Sequence, residues 1–150
     1  MWIVIIMPIR NVEVKDAPKV TDVAENCVPL VRASVEGTYE FLARCFSNTF
    51  YVYEENEEII GYTVGFPNTA NSGEFWVYQV GVLDKWRCKG IGSKLFEALF
   101  RAVKSEGYER IRSHYIFTNE HSGNLHAKFG MEIYGQDERG HFVEAIFKKE

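Results

Sequence analysis

The sequence predicts a mixed α/β fold in one domain, and three observations carry that prediction. Strand-like and helix-like apolar patterns interleave in the order strand, two helices, three strands, helix, strand, helix, two strands. Two stretches, 50–66 and 131–149, read as hairpins, so at least part of the sheet is antiparallel. The 150 residues are 46% apolar and 15% aromatic, enough for one real core and too much for disorder.

Each element has its own reason. IRNVEV (9–14) alternates apolar and polar residues, a strand signal. Asp16 stands at a helix N-cap position with Pro18 just inside. Val20, Val23, Ala24, Cys27, Val28 and Val31 follow at helical spacing until Pro29 interrupts or ends the helix. Tyr39, Leu42, Ala43 and Phe46 make one stripe on a second helix from Thr38 to Cys45. FYVYEENEEIIGYTVGF (50–66) gives two strands around a polar turn, and PNTANSG (67–73) is the longest clear loop. EFWVYQVGV (74–82) is apolar on both faces and is expected to be a central strand. A helix starts at Gly90, shows Ile91, Leu95, Phe96, Leu99, Phe100 and Val103 on one side, and stops at Gly107. RIRSHYIF (110–117) is a strand, 121–129 a short helix closed by Gly130, and the chain finishes as a hairpin around 137–140.

The bulk composition excludes several functions. A net charge of −4 without a basic block argues against a dedicated nucleic-acid binder. Cys27, Cys45 and Cys88 are odd in number and far apart, with no C-x-x-C, so neither a disulfide framework nor a zinc knuckle is indicated. A reducing cytoplasm is the simplest compartment. MWIVIIM is too short for a signal core or a membrane span. Met7 is read as an alternative initiator, or residues 1–6 as a small extra strand.

The chemistry concentrates in VGVLDKWRCKGIGS (80–93), where a strand passes basic residues and close-set glycines into a helix. A helix start offers free N–H groups and partial positive charge to an anion. Gly90 and Gly92 allow close approach, while Arg87 and Lys89 add attraction. Cys88 could be an activated thiol there, although its backbone N–H is the expected contribution. A dinucleotide fingerprint fails because Leu95 replaces its third glycine, and a P-loop fails because Ser-Lys follows Gly92 in the wrong order. A tight basic turn without a ligand is the bland alternative. His121 and His126 share no helical face, so no metal pair is expected.

R-C-K-G-I-G (87–92) has the form R-x-x-G-x-G, and N-E-H-S-G-N-L-H-A-K-F-G-M (119–131) fits N-x-x-[AS]-x-x-L-[YH]-x-K-x-G-[FM]. Both motifs, with the element order, resemble the GNAT superfamily of acyl-CoA-dependent N-acetyltransferases over nearly the whole chain. That resemblance implies a central mixed, mostly antiparallel, twisted sheet of six to seven strands flanked by about four helices. It implies acetyl-CoA as co-substrate, with no metal. Carried over, the pyrophosphate meets Arg87, Cys88, Lys89, Gly90, Ile91, Gly92 and Ser93. The pantetheine arm meets Val80, Gly81 and Val82, with a backbone N–H near Val82 polarising the acetyl carbonyl. Gly81 is unusual in a central strand: it accommodates either a packed neighbour or, the favoured reading, a bulge or close ligand. Asn119 and Ser122 complete the cofactor contacts, and Asn119 can cap its helix as well.

Amide formation needs a neutral amine, a polarised carbonyl and a proton for the departing thiolate. Neutralising a lysine-like ammonium near pH 7 costs roughly 4–5 kcal/mol, whereas an α-amine costs about 1 kcal/mol. His126 occupies the position where the family usually places its thiolate-protonating tyrosine, with a packing residue as the alternative. For the base, Glu74, Trp76, Tyr78, Val80 and Val82 are expected on one strand face, and Glu74 is the candidate, acting through water. Tyr78 and Glu120 are fallbacks for the base, and Tyr78, Tyr115 or solvent for the acid. FWVYQVGV (75–82) is similar to the W-Q-V-A-V stretch of diaminobutyrate acetyltransferases, which implies a small amino acid or diamine acceptor. A protein N-terminus or lysine, or a non-catalytic acetyl-CoA-binding module, are the other readings. A homodimer is allowed for; nucleic acid and membrane are not expected partners.

Overall fold

The computed structural model describes residues 7–147. The expectation for residues 1–6 lies outside them. Strands β1 (Ile9–Asn11), β2 (Phe50–Glu55), β3 (Glu58–Pro67), β4 (Glu74–Val82), β5 (Arg110–Ile116), β6 (Glu132–Gln136) and β7 (Gly140–Ile146) form one sheet. Helices α1 (Ala17–Asn26) and α2 (Glu36–Cys45) precede β2, α3 (Ile91–Ser105) links β4 to β5, and α4 (Glu120–Lys128) links β5 to β6. The sheet order is β1-β2-β3-β4-β5-β7-β6. All neighbours are antiparallel except β4 and β5. This is the expected architecture, with β4 at the centre.

Helices cover both faces. Val20, Val23 and Ala24 of α1 and Tyr39 and Leu42 of α2 pack on Phe50, Val52, Tyr62 and Val64. Phe96, Leu99 and Val103 of α3 pack on Phe75, Val77, Ile111 and Val143. Each fully buried Val or Leu among them contributes about 1.5–3 kcal/mol through removal of apolar surface from water. Asp16 does precede α1, but it does not cap that helix. Its carboxylate accepts the Glu13 N–H at 2.7 Å and pairs with Arg10 at 2.8 Å, closing the single turn Val14–Asp16.

Two irregularities of β4 shape the middle of the sheet. Val64 faces Gln79 whereas Gly65 faces Val77, so Tyr78 is an extra, bulged residue. The bulge reverses the face parity of the strand. Phe75 and Val77 share a core with Val80 against α3, while Gln79 bonds Tyr39 and Tyr62 on the α1–α2 side. The expectation that Glu74, Trp76, Val80 and Val82 share one face is therefore corrected. Secondly, β4 and β5 pair only from Glu74–Arg110 to Trp76–Arg112. Beyond that they diverge, and residues 77–82 have no strand partner on that side. Among the described residues, no helix is long and apolar enough to cross a membrane.

Candidate active site

The divergence of β4 and β5 opens two cavities, of about 690 Å³ and 620 Å³, sizes ordinary for small-molecule sites. The larger runs from the 87–93 loop along α4; the smaller lies among β4, β5, the α1–α2 loop and the β6–β7 turn. Leu30, Val31, Val80, Asn119 and Ser122 line both. The cavities thus adjoin at the splayed strands.

The larger cavity holds most of the predicted anion-site residues: Val80, Val82, Arg87, Cys88, Gly90, Ile91, Gly92, Ser93, Asn119 and Ser122. Cys88 (φ 63°) and Gly90 (φ 80°) are both left-handed, and they turn the chain sharply into α3. Successive N–H groups in such a turn form an anion-binding concavity that the helix start reinforces. Holding a cysteine in that conformation costs about 1–3 kcal/mol, so the loop geometry is imposed by its surroundings. Arg87 is one constraint: its Nε donates to the Val82 carbonyl at 3.0 Å and it pairs with Asp84 at 3.2 Å. Lys89 stands outside the cavity wall, with Nζ 5.1 Å from the Trp86 ring centroid. A cation without an assigned role in the sequence reading replaces it. Lys128, at the end of α4, donates to Ser93 Oγ at 3.0 Å across the cavity mouth. Its signal was present, as the lysine inside the 119–131 motif.

Asn119 caps α4 by accepting the Ser122 N–H at 3.1 Å. Its amide nitrogen has no partner among the described residues, which leaves a donor at the junction of the two cavities. Gly81 lines neither cavity. A Cβ there would lie 2.8 Å from the Tyr62 ring and 3.4 Å from Cys27 Sγ. The glycine makes room for Tyr62, the packed neighbour rather than the favoured ligand contact, and the strand's bulge is at Tyr78 instead.

His126 lies on the wall of the smaller cavity but is only 2% exposed. Its Nδ1 lies 2.6 Å from the Ser122 carbonyl, which can only accept, so Nδ1 carries the proton. Nε2, 2.8 Å from Ser113 Oγ, is then the acceptor. Burial pulls the imidazole down to about 4, against a smaller upward effect of the Ser122 carbonyl. His126 is therefore neutral at pH 7 with both nitrogens engaged, which corrects the expectation of a ready proton donor. It packs edge-on against Phe96 at 5.1 Å and beside Tyr115 at 5.2 Å.

Glu74 also departs from its expected role. It is 2% exposed and lines neither cavity. Asn68 (2.6 Å), Asn71 (3.0 Å), Trp76 Nε1 (2.8 Å) and Arg112 (3.0 Å) all donate to its carboxylate. Burial alone would raise its pKa, but these donors hold it below the usual carboxylate value. A carboxylate so satisfied is a poor base. Its work is to tie the 67–73 loop and the Trp76 indole to the start of β4. Trp76 then forms the smaller cavity's wall with Tyr78, Tyr115, His114 and Phe142. In the same wall, Gln79 donates to the Arg32 carbonyl at 2.6 Å and accepts from Tyr39 and Tyr62 at 2.8 Å each, pinning the α1–α2 loop to β4. Neither fallback base changes the picture: Tyr78 shares a 2.7 Å hydrogen bond with Ser34 at the cavity, and Glu120 lines neither space. Among the described residues no three His, Cys, Asp or Glu side chains gather as a metal site.

Residues 19–131 match the model of the Acetyltransferase (GNAT) family. The chain is 30% identical over 125 residues to the L-2,4-diaminobutyric acid acetyltransferase of Wolinella succinogenes, covering 82% of this chain and 72% of that protein. It is 28% identical over 121 residues to the protein of that name from Marinococcus halophilus, covering 78% and 70%. The solved diaminobutyrate acetyltransferase of Paenibacillus lautus, in complex with L-2,4-diaminobutyric acid and coenzyme A, superposes with a TM-score of 0.81 at 18% identity, covering 94% of this chain and 96% of that one. At that identity the superposition shows the fold alone. Together with the family match and the splayed-strand cavities, it leads to one conclusion: this chain is a member of the GNAT family of acetyltransferases.

Proposed function

We propose that this chain transfers an acetyl group from acetyl-CoA to a primary amine of a small amino acid or diamine, by direct attack. The observation that carries the reading is the pair of adjoining cavities. One begins at an anion-binding helix start, the other is a small aromatic chamber, and Val80, Asn119 and Ser122 stand at their junction. Relatives that act on diaminobutyrate supply the acceptor class.

The residues present suit acetyl-CoA. The N–H groups at the start of α3 hold the pyrophosphate, Lys128 adds a charge, and the free Asn119 amide meets the pantetheine arm. The unpaired edge of β4 near Val80 and Val82 directs the thioester to the junction, where a backbone N–H polarises its carbonyl. The amine approaches from the smaller cavity. Asp137 is the one carboxylate on that wall among the described residues. The ammonium proton therefore leaves through water and the Tyr78–Ser34 hydroxyl pair rather than to Glu74.

Tyr115 is our candidate for protonating the thiolate. It lines the smaller cavity beside Asn119 and Ser122, and its hydroxyl has no hydrogen-bond partner among the described residues. Space is kept for it: a Cβ on Gly123 would come within 3.0 Å of the Tyr115 ring and 3.3 Å of its oxygen. His126, packed beside that ring, positions it. The test is incubation with acetyl-CoA and a panel of amines, reading free thiol. Amine-dependent release supports the enzyme; binding of acetyl-CoA with no release for any amine would favour a non-catalytic module.

A further inference from the structure

Two consecutive residues of β4 reach the α1–α2 loop. The bulge at Tyr78 allows this, because it breaks the alternation that would send neighbours to opposite faces. Tyr78 shares a 2.7 Å hydrogen bond with Ser34 Oγ, and Gln79 Nε2 donates to the Arg32 carbonyl at 2.6 Å. Gln79 is 8% exposed, and Tyr39 and Tyr62 beside it are fully buried. Both phenols donate to Gln79 Oε1 at 2.8 Å. Tyr39 Oη also accepts the Ser34 N–H at 3.1 Å. Arg32 and Ser34 are thus held at three points by one connected network.

The Gln79 amide has one workable orientation. The Arg32 carbonyl can only accept, so the nitrogen faces it and the oxygen faces the phenols. Burial holds the Tyr62 phenol well above its ordinary pKa, so it remains a donor. A buried polar network of this kind fixes one arrangement of the chain around it. The segment it fixes faces both cavities. Arg32 and Ser34 line the smaller one, and Leu30 and Val31, just before them, line both. Gln79 itself lines only the smaller.

We propose that Gln79 is a positioning residue for acetyl transfer: its oriented amide holds the α1–α2 loop so that Leu30 and Val31 stay in the wall shared by the two cavities, and the binding of both substrates depends on it. This role rests on the acetyltransferase reading and deepens it by tying one side chain to both binding steps. Gln79 acts through the loop rather than by touching the thioester or the amine. Glutamate at this position keeps an acceptor for the two phenols but turns an oxygen toward the Arg32 carbonyl, where repulsion replaces a bond. Methionine, of similar length, removes the bond without adding charge.

The experiment compares the wild type with Gln79→Glu and Gln79→Met, the second keeping the proposal testable if a buried carboxylate prevents folding. Two readouts need no turnover. One is calorimetry with CoA. The other is the rate of tryptic cleavage after the exposed Arg32, relative to cleavage elsewhere in the chain, which follows opening of the loop. Each folded variant is expected to be cut after Arg32 about tenfold faster and to bind CoA about tenfold more weakly, the equivalent of one ordinary hydrogen bond. Steady-state thiol release should show KM raised for acetyl-CoA and for the fastest amine of the panel alike. A side chain that only contacts the acceptor would raise the amine's KM alone. One that only stabilises the core would lower the melting temperature and leave CoA affinity and Arg32 cleavage unchanged. Either result would overturn the proposal. If the wild type releases thiol and the folded variants match it in cleavage and in both KM values, the role of Gln79 alone is wrong. If no amine gives thiol release from the wild type, the acetyltransferase reading fails, and the role in transfer fails with it.

Discussion

Replacing Gly92 with glutamate separates folding from cofactor binding, because the structure gives the two effects opposite signs. Gly92 is the second residue of α3, and no acidic residue occupies that helix's first turn. A Cβ there meets only Leu125 Cδ2, at an ordinary 3.4 Å. Glutamate should therefore stabilise the free protein. Exchanging glycine for a good helix former is worth about 0.5–1 kcal/mol, and an anion at a helix N-terminus adds about 0.3–1 kcal/mol. The same charge stands where the pyrophosphate belongs. At about 6 Å and an effective dielectric of about 20, each pair of like charges costs about 3 kcal/mol. Two charges on the pyrophosphate, with the total halved for solvent screening, leave about 3 kcal/mol, or a Kd raised at least about a hundredfold. The assay pairs thermal unfolding of the free protein with acetyl-CoA calorimetry. The expected result is a melting temperature equal to or a few degrees above wild type, with binding lost. Unchanged affinity in the folded variant would refute the placement of the pyrophosphate at the 87–93 loop.

Three further outcomes follow from the same geometry. Tyr115→Phe should keep acetyl-CoA affinity and lower kcat by about 10²-fold, the lower end for acid–base groups; an unchanged kcat in steady-state thiol release would remove Tyr115 from the reaction. His126 titrates near 4 when folded and about 6.5 when unfolded. Above pH 6.5 it contributes nothing to the pH dependence. Below that, the unfolded chain takes the proton first, so up to about 3 kcal/mol of stability is lost between pH 6.5 and 4. Urea unfolding at pH 7 and pH 5 should show this loss in wild type and a shallower one in His126→Gln, and equal losses would contradict the buried neutral imidazole. Gly81→Ala places a methyl 2.8 Å from the Tyr62 ring. It should cost about 1–3 kcal/mol by overpacking, and a neutral result in the same unfolding assay would show that Tyr62 can move aside.

The turn into α3 was legible because its requirements are local. A helix start, two glycines and nearby cations sit within one short run, and their chemistry needs no knowledge of distant contacts. Element order was legible for the same reason, since each hydrophobic period is written in its own segment. Glu74 and His126 were misread because their character is set at a distance. Glu74 is a poor base only because Asn68, Asn71, Trp76 and Arg112 converge on it. His126 loses its free nitrogen to Ser113 on a neighbouring strand. The faces of β4 were misassigned because alternation presumes an unbroken strand, and nothing in EFWVYQVGV marks Tyr78 as the bulged residue. Gly81 was ambiguous on its own, and Tyr62 supplies the reason for it from β3.

The most direct test of the account is product analysis by mass spectrometry after incubation of the protein with acetyl-CoA and L-2,4-diaminobutyrate. The account predicts a product one acetyl group heavier than the acceptor, formed with one equivalent of free thiol. Thiol release with no acetylated amine, or no reaction across the amine panel despite bound acetyl-CoA, would contradict it.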